Sequence, residues 1–176
     1  MTMGSLALVV METAPIRPEI THLAAVEPAV NEPAEVISST QVPLQRTTWQ
    51  NIVIHSSVEG DQLAAQCHFV VWADEGADGL YAQATPLWKQ QQRGRHLAGR
   101  LADNSIGVFI VGRFDTQGPS ARQFEALVNL SRNLQKTCAI PADRVYLARE
   151  LDPRCASPGK AFPMYRFNGL LLQRGS

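Results

Sequence analysis

Residues 105–112 read SIGVFIVG, and this nearly continuous apolar run is the strongest strand signal in the chain. A strand that is apolar along its whole length is buried on both faces, which is typical of the centre of a sheet that helices cover. The run therefore predicts a central strand, and we expect the other elements to be arranged around it.

Four shorter segments also have strand character, because β-branched and aromatic residues are concentrated in them and turn formers flank them. Two of them are expected to pair as a hairpin across the Gly- and Asp-rich turn at residues 73–79. The predicted strands are 51–55, 67–72, 80–83 and 144–147.

The clearest helix is predicted to begin at Pro119 and to end near Cys138, before Pro141. Apolar residues recur through this segment at the three- and four-residue spacing of a buried helix face. Strands that alternate with helices in one compact unit predict an α/β fold. We expect a single domain with a central mixed β-sheet of five or six strands, flanked by helices.

Residues 1–45 are predicted to be a disordered, Pro-rich tail or linker, or an extended strap, and residues 46–176 are predicted to be the domain. Prolines recur through the first segment, and no aromatic residue precedes Trp49, so there is little to bury. The apolar run at residues 5–11 lacks a positive n-region and a small-residue cleavage site. No signal peptide is therefore predicted, although the run would fit the end of a longer signal whose start lay upstream.

The overall charge excludes some classes of partner. The chain has 16 acidic and 16 basic residues in 176, and its lysines and arginines form no basic run. We therefore predict no nucleic-acid or anionic-membrane partner. No apolar stretch approaches the roughly 20 residues of a membrane span. The three cysteines lack a CxxC spacing and are odd in number, which argues against a disulfide scaffold.

Several motifs occur in the order and spacing of one known family. They include Ile54-His55-Ser56-Ser57, Cys67-His68-Phe69-Val70-Val71, Asn104-Ser105-Ile106-Gly107-Val108 and the segment 145–163. From residue 51 to residue 163 the chain resembles the zinc N-acetylmuramoyl-L-alanine amidases and the peptidoglycan recognition proteins that share their fold. The resemblance implies a groove for peptidoglycan fragments and, from that substrate alone, a location in the cell envelope, the periplasm or outside the cell.

The resemblance also implies a zinc site, but two of its three ligand positions hold unsuitable residues. His55 stands at the first position. Ala148 stands where the family usually has the histidine of a Gly-His-Arg-Glu run, and Ser157 stands where it has Asp or Cys before Pro-Gly. A catalytic zinc needs three protein ligands, a methyl group cannot ligate, and a serine hydroxyl must first lose a proton. We therefore expect no metal cofactor and identify no catalytic residue.

The same resemblance suggests residues that contact the substrate, and all of them except Asn104 also have a plainer interpretation. His55 would be a polar residue at a strand end, His68 a structural histidine and Trp88 a core residue. His96 would be a solvated loop histidine, and Arg113 would belong to a solvated charged face. The candidate substrate-binding residues are His55, His68, Trp88, His96, Asn104 and Arg113.

Three functions follow from these observations. The first is a pseudo-amidase that has lost its zinc and binds peptidoglycan fragments or a protein partner. The second is an active N-acetylmuramoyl-L-alanine amidase that hydrolyses the MurNAc–L-Ala amide bond with a rewired zinc site formed by His55, His96 and Cys155. The third is a structural or protein-interaction module whose groove is filled.

Overall fold

The computed structural model describes residues 32–57, 62, 64–74 and 80–173. Its strands are β1 (Asn51–Ser57), β2 (Phe69–Val71), β3 (Ala82–Ala84), β4 (Ser105–Val111) and β5 (Val145–Leu147). Its α-helices are α1 (Glu32–Ser38), α2 (Pro86–Lys89), α3 (Ala121–Cys138), α4 (Ala148–Leu151) and α5 (Met164–Leu170), and short 3₁₀ helices occupy Gly99–Asp103 and Ala142–Arg144.

The five strands form one mixed sheet in the order β3-β2-β4-β1-β5. β4 pairs in parallel with both β1 and β2, β1 pairs in parallel with β5, and β2 pairs antiparallel with β3. The predicted α/β domain with a central mixed sheet is confirmed, and the apolar run at residues 105–112 supplies its central strand.

Helix α3 covers one face of the sheet and forms the main core with it. Its first turn is capped by Ser120, whose Oγ accepts a hydrogen bond from the backbone N–H of Gln123. Ala139 ends the helix in the left-handed conformation, with φ 55°. None of the described helices is long and apolar enough to cross a membrane.

The predicted tail is too long at its C-terminal end. Helix α1 lies within the segment assigned to it, and Val36 and Ile37 of this helix are buried in the main core. The Nε1–H of Trp88 donates to the carbonyl of Ile37 at 2.9 Å. A short helix gains most of its stability from such tertiary packing, which local composition does not reveal. The domain therefore starts before residue 46, and residues 1–31 of the predicted tail lie outside the described residues.

The second face of the sheet carries His55 and a small apolar cluster. The parallel register of β1 and β4 places Val53 beside Gly107 and His55 beside Phe109. Paired residues of neighbouring strands project to the same face, so His55 and Phe109 share this face. Phe109 packs there with Cys67 and other apolar residues as a second, smaller core. The sheet thus presents one histidine next to an apolar cluster.

Candidate functional site

A cavity of about 670 Å³ opens on the second face, a volume in the range of small-ligand sites. Its most buried polar lining residues are His55 and His96, which are 5% and 8% exposed. One part of the lining is apolar and another carries charged or polar groups. The apolar part is formed by Leu97, Ala98, Leu101, Ala148 and Leu151, and the polar part by Arg95, Asp152, Arg154, Cys155 and Ser157.

His55 and His96 form a direct pair in this cavity. The Nε2 of His55 lies 3.0 Å from the Nδ1 of His96, and the two rings meet edge to face. The other nitrogen of His96, Nε2, lies 3.4 Å from the carbonyl oxygen of Ser105. The structure therefore brings together two predicted site residues that are 41 positions apart in the chain.

His68 lies behind this pair and is completely buried. Its Nδ1 accepts a hydrogen bond from the backbone N–H of Gly107, and its Nε2–H donates to the carbonyl of Gln92, each at 2.9 Å. Both ring nitrogens are thus used to join β4 to the loop before His96. This arrangement favours the plainer interpretation of His68 as a structural histidine, and its contact with substrate stays a prediction.

Burial keeps all three histidines neutral. Desolvation and the neighbouring His96 lower the pKa of His55 from 6.5 to about 3. Desolvation also lowers the pKa of His68 to about 4 and that of His96 to about 4, although backbone carbonyls oppose the shift in each case. At neutral pH the cavity therefore presents uncharged imidazoles.

These lowered pKa values predict that the fold loses stability in mild acid. The unfolded chain binds more protons than the folded chain between pH 6.5 and about 4, so stability is complete above that window and falls as the pH falls through it. Each histidine contributes at most about 1.4 kcal/mol per pH unit there. Urea unfolding at pH 7.5, 6.0 and 5.0 measures the slope. His55→Asn should make the slope shallower by about one proton, whereas a free energy that does not change with pH would contradict the shifts.

Ser157 is tied to the backbone of β1. Its Oγ–H donates to the carbonyl of Ser56 at 3.1 Å, and its Oγ accepts from the N–H of Ser56 at 2.5 Å. Ala148 offers a buried methyl group at the start of α4. Both residues line the cavity with His55.

The donors present do not fit a zinc ion at the three positions that the resemblance names. Ser157 uses its hydroxyl proton and an oxygen lone pair on the backbone of Ser56, and a neutral alcohol held in this way is a poor metal ligand. The methyl of Ala148 has no donor atom. His55 is then the one imidazole of the three positions, and a single nitrogen fixes no tetrahedral geometry.

The rewired zinc set is not assembled either. Cys155 is half-buried and lines the cavity, but the described residues contain no group of three His, Cys, Asp or Glu side chains that could hold a metal. His55 and His96 meet, but each directs one nitrogen at the other rather than at a shared centre. His55, His96 and Cys155 are therefore not arranged around one centre in this structure, and the rewired zinc site stays a prediction.

The remaining candidates lie away from the cavity. Trp88 is fully buried and packs against Phe69 and Trp49, so it belongs to the core and is no groove wall. Asn104 joins the starts of β1 and β4, because its side chain bonds Gln50 and Asn51. These positions favour a structural role for Trp88 and Asn104, and their contacts with substrate stay predictions.

Arg113 lines a separate cavity of about 250 Å³ at the carboxyl ends of β1 and β4. Its side chain is 70% exposed and lies 4.0 Å from the carboxylate of Asp115. Cys155 and Ser157 line both cavities. The cavity of Arg113 is therefore adjacent to the cavity of His55, and these two residues of one loop lie between them.

Several lining residues were not among the candidates. Leu97 lies two residues before Gly99, Leu101 lies in the 3₁₀ helix Gly99–Asp103, and Leu151 ends α4. Leu101 is 38% exposed, and it forms a group with the other apolar lining residues of the cavity. Grouped apolar residues at the surface are typical of a binding wall, whereas single ones are not. The leucines can be recognised in the sequence, but only the folded structure shows that Leu97, Leu101 and Leu151 line the same cavity.

Comparison with known proteins gives a family and a fold. The model of the family N-acetylmuramoyl-L-alanine amidase matches residues 36–160, well over half of the chain. This match begins inside α1, in agreement with the earlier start of the domain. No curated protein is significantly similar to the chain in sequence.

Solved structures share the fold at low sequence identity. The amidase AmiD from E. coli, in complex with anhydro-N-acetylmuramic acid-L-Ala-D-γ-Glu-L-Lys, has a TM-score of 0.58 and 20% identity over 74% of this chain and 60% of that chain. The amidase LysC from Clostridium intestinale has a TM-score of 0.56 and 19% identity over 73% and 89%. Bumblebee PGRP-SA has a TM-score of 0.51 and 16% identity over 67% and 80%.

Proposed function

The chain belongs to the N-acetylmuramoyl-L-alanine amidase family, and from this premise we propose that it binds peptidoglycan fragments without hydrolysing them through zinc. The proposal rests on the side chains of Ala148 and Ser157, which occupy the family's second and third zinc-ligand positions. Ser157 is closed onto the backbone of Ser56, and Ala148 has only a methyl group. A water molecule in the cavity would then lack the Lewis acid that makes it nucleophilic near neutral pH.

The other described groups of the cavity are weak bases. Burial lowers the pKa of His55 to about 3 and that of His96 to about 4, so neither imidazole is a strong replacement base. Asp152 is the one carboxylate among the cavity's described lining residues, and Arg154 holds it at 3.1 Å. The hydrogen bonds from Arg154 lower the pKa of Asp152, which makes this carboxylate a weaker base. Phe109, the strand neighbour of His55, offers only an apolar ring. Binding is therefore favoured over amide hydrolysis.

The chemistry of the lining matches that of a muropeptide. AmiD is found in complex with a fragment that combines a sugar, alkyl side chains and carboxylates. In this chain, Leu97, Leu101 and Leu151 offer an alkyl wall. The guanidinium of Arg95 is exposed at the same cavity and forms no ion pair with a described residue, so it is available to a carboxylate. With such a ligand, we propose a location in the cell envelope, in the periplasm or outside the cell.

Calorimetry with a defined muropeptide tests the proposal. We expect binding that is unchanged by a metal chelator and that leaves the muropeptide intact. Arg95→Ala should weaken binding about tenfold, because one charge-assisted hydrogen bond is lost. Arg100→Ala is the matched control, since Arg100 is exposed in the same segment but does not line the cavity.

Two outcomes would overturn the proposal in different ways. Binding that requires zinc, or release of free stem peptide, would support an active amidase. No binding of the muropeptide and no retention on insoluble peptidoglycan would instead support a structural or protein-interaction module, for which a protein would be the partner.

A further inference from the structure

We infer that Nδ1 of His55 is the atom that accepts a hydrogen bond from an N–H or O–H group of the bound ligand, and that His96 is the positioning residue that keeps this atom free. This inference rests on the proposed function, because it assigns an atom of the same cavity to the ligand. It gives the residue at the first ligand position a role that needs no metal.

The carbonyl of Ser105 decides the tautomer of His96. A carbonyl oxygen only accepts hydrogen bonds, so the neutral His96 ring must carry its proton on Nε2, which faces that oxygen at 3.4 Å. The Nδ1 of His96 is then a bare acceptor. Since this atom lies 3.0 Å from the Nε2 of His55, the proton between the two rings belongs to His55.

The tautomer of His55 follows from that of His96. A neutral His55 that donates through Nε2 keeps a bare lone pair on Nδ1. This atom has no partner among the described residues. In the described part of the chain, Ser105 Oγ is the one fully buried side-chain nitrogen or oxygen without a partner, so Nδ1 of His55 is open to the cavity that His55 lines.

Two glycines hold the ring of His96 in the position that this arrangement needs. A Cβ atom at Gly94 or at Gly107 would lie 2.5 Å from the Cδ2 of His96, closer than real contacts allow. The backbone at both positions can therefore approach the ring of His96 only because these residues lack side chains. Such close packing restricts rotation of His96 and so keeps its Nδ1 directed at His55.

The neutral acceptor selects the kind of ligand group that binds beside it. An uncharged imidazole nitrogen attracts an amide N–H or a hydroxyl, whereas it repels a carboxylate oxygen that has no proton to donate. Arg95 of the same cavity has the opposite preference. The ligand class is therefore a molecule with an amide or hydroxyl donor and a carboxylate, such as a short acylated peptide.

Nitrogen NMR of histidine-labelled protein tests the tautomer without any ligand. We expect the signals of His55, identified by their loss in His55→Asn, to show a protonated Nε2 and a bare Nδ1. His96→Leu should shift the Nδ1 signal of His55 toward a mixture of tautomers, a change that a purely structural His96 would not produce. A protonated Nδ1 in the wild type would overturn the inference.

Calorimetry with the same muropeptide then compares two substitutions of His55. His55→Asn keeps an acceptor oxygen at the place of Nδ1, whereas His55→Leu keeps the bulk but leaves the ligand donor unpaired. We expect His55→Asn to bind within about fivefold of the wild type and His55→Leu to bind about tenfold or more weakly. Equal binding by both folded variants would refute the inference while the proposed function stands, and failure of the wild type to bind would refute the proposed function itself.

Discussion

The double variant Ala148→His, Ser157→Asp is expected to bind one zinc ion per chain, whereas the wild type binds none under the same conditions. The two substitutions add an imidazole and a carboxylate to the cavity that His55 already lines. Three such donors with an open fourth position form the ordinary catalytic zinc site. The affinity for zinc should therefore rise by about three orders of magnitude or more.

The local structure gives reasons to expect that both substitutions are tolerated. A carboxylate at position 157 can still accept the hydrogen bond from the N–H of Ser56, although the bond to the Ser56 carbonyl is lost. Position 148 follows directly on β5 and faces the open cavity, so a larger side chain has space to occupy.

Zinc calorimetry on chelator-treated protein measures this effect, with circular dichroism to confirm folding. Each single variant should bind zinc much more weakly than the pair, and adding His55→Leu to the pair should abolish the site. A folded double variant without zinc affinity would show that residues 148 and 157 are not ligand positions, and the central argument for lost catalysis would fail.

Trp88→Ala is expected to lower the free energy of unfolding by about 3–5 kcal/mol, the cost of removing a fully buried large aromatic side chain. The indole packs between Phe69 and Trp49, and its Nε1–H satisfies the carbonyl of Ile37. The variant therefore also loosens α1 from the domain. Urea unfolding measures the loss.

Trp72→Ala is the matched control for this prediction. Trp72 is partly exposed and bonds the side chain of Gln83 on the hairpin, so its removal should cost less than half as much. A Trp88→Ala protein that kept its stability but lost muropeptide binding would show that Trp88 is a residue of the binding groove, and it would contradict the assignment of Trp88 to the core.

The elements that the sequence predicted well are those with local causes. The apolar run of β4 requires burial on both faces, and α3 has both a capping serine and a continuous apolar face. Helix α1 lacks such a local signal, because its stability comes from Trp88 and other contacts distant in the chain. The predicted turn at 73–79 lies partly outside the described residues.

The sequence allowed candidate site residues to be named, but it did not show which of them contact one another. The position of His55 near the end of a strand follows from its neighbours in sequence, but its pairing with His96 depends on how the loop at residues 94–99 folds. The bonds between Ser157 and Ser56 join residues 101 positions apart. Such contacts follow from the tertiary fold, and no spacing rule within the sequence reveals them.

Mass spectrometry of a muropeptide incubated with the wild-type protein and excess zinc distinguishes binding from hydrolysis. We predict that the muropeptide is recovered intact, because residues 148 and 157 provide no ligands for a water-activating ion. Recovery of the free stem peptide together with the unlinked sugar, at a rate that falls in the His55→Leu variant, would contradict it.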